Sequence, residues 1–183
     1  MNSGERGHYP FKSLNLYSLT MQVLNRQSII QKIKRLSIQI LENHLDHKAI
    51  YFIGINNNGY HFAELLAEQL TQITDIPVHL HRVRLNPASP FNSTIELSVS
   101  KEDLHNQHII LVDDVANTGR TTFYAVKPLL DILPASLEVA VLVDRTHKSF
   151  PIRVDYVGLS LATTLKEHID VHLQEDDMSV YLN

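Results

Sequence analysis

Cysteine is absent from this chain, so a disulfide framework, a thiolate zinc site and a cysteine nucleophile are all excluded. No apolar run approaches the roughly 20 residues that a membrane-spanning helix needs. The opening MNSGERGHYPFK lacks the apolar stretch of a secretory signal, so a cytoplasmic location is the expectation. Positive charge is not in excess: 16 Lys and Arg face 20 Asp and Glu, for a formal net charge of −4. That balance gives no reason to expect a surface coated by nucleic acid, although it does not locate individual patches. Internal repeats and low-complexity runs are missing as well. What is there is ordinary for a globular protein, with 44% hydrophobic and 20% charged residues. At 183 residues the chain suits one domain with a substantial core.

Residues 1–20 show no period and read as a flexible extension; from Met21 the pattern becomes cleaner, and 21–183 is taken as the domain. Between Ser28 and His44 the residues Ile29, Ile30, Ile33, Leu36, Ile40 and Leu41 recur at helical spacing. Ala49 to Ile55 reads as a buried strand, followed by a turn at Asn56-Asn57-Asn58-Gly59 and a helix over HFAELLAEQL. VHLHRVRL alternates with period two, NPASPFNS reads as a loop, and Thr94 to Val99 as a short strand. His108 to Val112 is the next buried strand, and Thr121 to Leu133 a helix that Pro134 closes. Further strands are expected at Leu137–Val143, Val154–Leu159, Val171–Leu173 and Ser179–Leu182. Strands alternating with helices predict an α/β fold with a mostly parallel central sheet flanked by helices.

The chemistry concentrates in IILVDDVANTGRTT, residues 109 to 122. An apolar strand runs into Asp113 and Asp114, where the chain is expected to turn so that both carboxylates face one crevice. Ligands of open α/β sheets bind at such carboxyl ends. The turn Ala116-Asn117-Thr118-Gly119 then leads through Arg120 into a helix near Thr121. Backbone amides and threonine hydroxyls there suit a phosphate monoester. The adjacent carboxylates can accept hydrogen bonds from sugar hydroxyls or hold a hydrated Mg²⁺ indirectly. Acid pair and phosphate cradle together describe a site for a phosphorylated sugar.

This motif resembles the phosphoribosyl-pyrophosphate motif of type I phosphoribosyltransferases. AVLVDRTHKSFPIRVDYVG (140–158) and the ending VHLQEDDMSVYLN are similar to the pyrimidine-operon regulators that also act as uracil phosphoribosyltransferases. The likeness covers roughly residues 24 to 183. It implies a phosphoribosyltransferase fold with a small hood over the site. By the same resemblance, the protein transfers phosphoribosyl from phosphoribosyl pyrophosphate to a nucleobase, uracil by default, in pyrimidine salvage. The resemblance assigns Asp113 and Asp114 to the ribose hydroxyls, Ala116 to Thr121 to the 5-phosphate, and Asn57, Asn58 and Gly59 to the pyrophosphate loop. It gives Tyr156 to Thr164 a part in reading the base, and implies Mg²⁺ and a homodimer or higher oligomer.

Three departures from the family pattern stand out. The pyrophosphate loop, Asn56 to Gly59, carries no cation where a basic residue usually precedes the glycine. The lid motif of the relatives is replaced by HRVRLNPASPFNS, with Arg82 and Arg84 its only cations. The hood turn reads Leu161-Ala162-Thr163-Thr164. Activity is therefore expected to be weakened, and two other functions stay open: an RNA-binding regulator, and a sensor of phosphoribosyl ligands without turnover. For RNA the candidates are Arg145, His147 and Lys148, too few for more than weak binding. The 11 histidines suggest metal, but His79/His81 and His168/His172 have no third ligand at a suitable spacing and are read as solvent-facing.

Overall fold

A computed structural model describes residues 20–162 and 167–183. Residues 1–19 of the expected extension, and Thr163 and Thr164 of the hood turn, lie outside the described residues. In chain order the elements are β1 (Met21–Leu24), α1 (Arg26–His44), β2 (Ile50–Ile55), α2 (Asn56–Thr71), β3 (Val78–Arg84) and β4 (Glu96–Leu97). After them come β5 (His108–Ala116), α3 (Arg120–Ala125), β6 (Ser136–Arg145), β7 (Tyr156–Leu161), β8 (Ile169–Gln174) and β9 (Asp177–Leu182).

The central sheet has the order β4-β3-β2-β5-β6-β7 and is parallel except where β4 pairs with β3. A separate antiparallel sheet, β1-β9-β8, forms the hood. This is the expected α/β architecture. The inner stretches 50–55, 109–112 and 139–143 of its central strands are apolar because both faces are covered. Ile110 and Val112 pack with Ile29, Leu36, Ile40, Phe62 and Leu66 of the two long helices. The alternate residues Ile109 and Leu111 pack with Ile53, Val141, Ala125 and Leu129 on the other face. The stripe on α1 is thus core. Asn25 caps that helix, its side chain accepting from the Ser28 amide at 2.9 Å.

Two elements are shorter than the sequence predicts. The helix expected to reach Leu133 stops at Ala125 and gives way to a 3-10 turn at Lys127–Leu129. Pro128 is the cause: it has no amide to donate, and its ring would collide with the carbonyl of residue 124. The strand expected over Thr94–Val99 shrinks to Glu96–Leu97, paired only with the end of β3.

At the edge of the sheet remote from the carboxyl ends of the strands, His47 stacks on His108 with ring centroids 3.4 Å apart, and His44 meets His47 edge-on. Burial pushes the His108 imidazole below its ordinary value, and the charges His47 and His44 would carry add to the effect. Burial does the same to His81, helped by His79. A base lowered on folding binds fewer protons folded than unfolded. Its contribution to stability is present above the unfolded value of about 6.5 and is lost as pH falls through the folded value. Urea unfolding is therefore expected to show a lower midpoint at pH 5.5 than at pH 7.5. His108→Gln should flatten that slope, and equal slopes in variant and wild type would refute the assignment.

Candidate active site

β5 does not end at Val112. It stays paired with β6 through Ala116, so the pleat continues past the acid pair and separates the two carboxylates. Asp114 is half-buried and lines a cleft of about 590 Å³ together with Asn58, Asn117, Arg145, His168, Asp170 and His172, among other residues. Asp113 is 7% exposed and sits beneath the start of α2. The expectation that both carboxylates face one crevice is corrected accordingly. Burial holds the Asp113 carboxyl well above its ordinary value, and the charge of Asp114 raises it further. Asp113 Oδ1 accepts from the Asp114 amide at 3.1 Å, and Asp114 Oδ1 accepts from the Val115 amide at 2.9 Å.

The segment Asn56 to Gly59 is the first turn of α2 and not a separate loop. Asn56 enters it with a positive φ of 54°, a conformation that asparagine tolerates better than most residues. Its Oδ1 accepts from the Leu85 amide at 3.0 Å, which ties the turn to the end of β3. Asn58 donates to Asp114 Oδ2 at 2.9 Å. Asn57 Oδ1 accepts from Arg82, whose guanidinium lies 3.8 Å over the Tyr60 ring. At Gly59 a Cβ would stand 2.4 Å from the Val112 carbonyl oxygen. Only glycine lets the helix rest directly on β5 and deliver Asn58 to the acid pair.

Beyond β5 the chain turns at Asn117-Thr118-Gly119. Gly119 takes φ +80°, the left-handed conformation that lets the turn close and α3 begin. The first amides of α3 have no helical acceptor. Because α3 has six residues, the anion site expected here rests on those turn amides and hydroxyls more than on a helix dipole. Basic residues at and just after the end of β6 hold the turn from behind. Arg145, 8% exposed, donates to Asn117 Oδ1 at 2.8 Å. Lys148 donates to the Ala116 carbonyl at 3.1 Å and pairs with Asp144. Arg145 and Lys148 are two of the three RNA candidates of the sequence. The turn carbonyl, Asn117 and Asp144 recruit them inward. Arg120 faces the other way and donates to the Pro87 carbonyl at 2.9 Å, joining the turn to the 86–93 loop.

The predicted residues Asn58, Asp114 and Asn117 therefore meet at one cleft, while Asn57 lines neighbouring clefts on either side of the α2 turn. Of the base-reading segment expected at Tyr156 to Thr164, the described part is β7, the edge strand of the central sheet, and Ala162, while the hood strand that lines the cleft at Asp114 is β8. His168, Asp170 and His172 were not read as site residues, since nothing in their spacing connects them to the acid pair. His168 lies 3.1 Å from Asp170, and His172 lies 3.4 Å from Asp177.

Among the described residues no group of three or more histidine and carboxylate side chains converges to hold a metal ion. Both Asp114 oxygens already accept hydrogen bonds, and Asp113 is buried. That donor set fits a hydrated Mg²⁺ brought by a phosphorylated substrate and touched through water or hydroxyls, not a resident ion. No helix among the described residues is long and apolar enough to cross a membrane.

Comparison with known proteins accords with this geometry. The family model described as a phosphoribosyl transferase domain matches residues 20–176. The bifunctional protein PyrR of Pediococcus pentosaceus is 35% identical over 171 residues, covering 88% of this chain and 97% of its own. That of Bacillus mycoides is 36% identical over 164 residues, covering 85% and 91%. Among solved structures, the hypoxanthine phosphoribosyltransferase of Trypanosoma cruzi superposes with a TM-score of 0.72 at 18% identity, over 88% of this chain and 94% of that one. A domain match over most of the length, and relatives sharing about a third of their residues along nearly their whole chains, show that this chain belongs to the type I phosphoribosyltransferase family.

Proposed function

We infer that the protein transfers the phosphoribosyl group of phosphoribosyl pyrophosphate to a nucleobase, with uracil as the acceptor. The observation that carries the reading is the single cleft shared by Asp114, Asn58, Asn117 and the hood strand β8, next to the left-handed turn at Gly119. In this reading the amides and hydroxyls of Ala116, Asn117, Thr118, Gly119, Arg120 and Thr121 receive the 5-phosphate. Asp114, backed by Asp113, accepts from the ribose hydroxyls, and Asn57, Asn58 and Gly59 border the pyrophosphate. The bond from C1 to pyrophosphate breaks and a bond from C1 to a ring nitrogen of the base forms, the nitrogen giving up its proton. The Asp114 carboxylate offsets positive charge developing on the ribose ring. Bound Mg²⁺ would neutralise charge on the departing pyrophosphate.

Uracil rests on the resemblance to pyrimidine-operon regulators, as do pyrimidine salvage and a homo-oligomeric state. The inward engagement of Arg145 and Lys148 weighs against an RNA-binding face at that corner.

The test is a radiolabelled panel of uracil, hypoxanthine, guanine, adenine and orotate with phosphoribosyl pyrophosphate and Mg²⁺. Nucleotide formation with uracil is expected, well above that with the four other bases. Tight ligand binding with no turnover on any base would make the protein a sensor instead.

A further inference from the structure

We propose that His61 of α2 pins the hood strand β8 against the core only while its imidazole is protonated, and so acts as a positioning residue for the cleft at Asp114. The consequence for catalysis rests on the transferase reading; the pin itself does not.

His61 joins segments 112 residues apart: its Nε2 lies 2.8 Å from the Leu173 carbonyl oxygen of β8. Its Nδ1 lies 3.1 Å from Glu64 Oε2, one turn along α2. A carbonyl and an ionised carboxylate only accept hydrogen bonds, and a neutral imidazole has a single N–H to give. Given to Leu173, that N–H leaves a bare Nδ1 lone pair facing the carboxylate. Given to Glu64, it leaves a bare Nε2 facing the carbonyl. The imidazolium makes both bonds. The side chains of His61 and Glu64 are 41% and 39% exposed, so the proton exchanges with solvent and charge attraction alone is weak. The count of hydrogens decides the geometry.

β8 is an edge strand of the hood sheet. His168 exchanges backbone bonds with Asn183 at 2.8 and 2.9 Å, which sets the alternation along the strand. Asp170 and His172 face β9, while Ile169, Val171 and Leu173 turn their backbone groups away from it. Ile169 and Val171 of that outward row line the cleft at Asp114, and His61 grips the row at Leu173. His61 also shares a helix and a cleft of about 480 Å³ with Asn57 and Asn58. The other titratable groups lining that cleft are His172 and Asp177 of the hood, 3.4 Å apart. Beyond β8, Arg26 donates to the Glu175 carbonyl, a contact that keeps its charge at every working pH. A pinned hood binds one more proton than a released one, so pinning is favoured as pH falls. That sign is opposite to the effect of His108 on the whole fold.

Hydrogen exchange in β8, corrected for the chemical rate at each pH, reads the pin without substrate. In the wild type the amides of Asp170 and His172 are expected to be protected about three- to tenfold better at pH 6 than at pH 8. Glu64→Gln offers its own N–H to Nδ1, so the neutral ring makes both bonds and protection should become equal at the two pH values. His61→Ala should show the weaker protection at both. Equal protection in the wild type overturns the proposal. A pH dependence that survives in both variants belongs to His168 or His172 and overturns it as well. With phosphoribosyl pyrophosphate present, the KM for uracil should rise from pH 6 to pH 8 in the wild type and stay level in Glu64→Gln. A rise of equal size in both overturns the positioning role. Absence of transfer defeats the transferase reading and leaves the exchange result to decide the pin.

Discussion

Gly119→Val is expected to lower affinity for phosphoribosyl ligands at least about a hundredfold, through the loss of two or more hydrogen bonds to a charged group at about 1.5–3 kcal/mol each. The reason is conformational. Gly119 sits at φ +80°, and a Cβ there would meet Ile152 and Lys148 at 3.4 Å, ordinary contact distances. Space is available, but a β-branched residue cannot hold that backbone conformation without strain of about 1–3 kcal/mol. The turn relieves the strain by rotating, and its amides leave the positions from which they reach a phosphate. Calorimetry with ribose 5-phosphate reads the loss directly. Gly119→Asn is the informative companion, because asparagine tolerates this region and should keep most of the affinity. Affinity within twofold of wild type in Gly119→Val would show that the turn does not hold the phosphate.

The acid pair should divide its roles unequally. Asp114→Asn is expected to cost about 10²–10³ in kcat/KM, the usual scale for removing one preorganised charge from a transition state. Asp113→Asn should cost markedly less, because Asp113 is buried and pushed toward its protonated form, first by burial and then by Asp114. A neutral amide imitates that form. The stability effect has a definite sign. A carboxyl raised on folding stabilises below its unfolded value of about 3.9, and that contribution is lost as pH rises through the folded value. At pH 7 Asp113 therefore destabilises the fold, and Asp113→Asn should raise the urea midpoint there. The two variants need steady-state kinetics across pH and unfolding curves at pH 7. Equal kinetic losses from both substitutions would sink the division.

Periodicity and local chemistry were enough to place most of the fold and the motif. The near-continuous apolar runs at 49–55, 108–112 and 137–143 read as strands covered on both faces, which led to a mostly parallel sheet with helices on each side. Asp113-Asp114 followed by the Gly119 turn pointed to a phosphorylated-sugar site because those residue types act over short stretches of chain. Non-local pairing decided the rest. Ladder bonds to β6 carry β5 past Val112, so the acid pair is split between a buried and an open carboxylate. The stop of α3 short of Leu133 is the exception, a local effect of Pro128 that helical spacing alone passes over. Arg145 and Lys148, alike on paper to any basic loop, turn inward because Asn117, the Ala116 carbonyl and Asp144 are there to receive them. The hood wall of His168, Asp170 and His172 arises only when an antiparallel sheet from the two ends of the described chain folds against the carboxyl end of β5. Partners that meet across the chain leave no periodic trace in either segment, so tertiary structure alone brings them together.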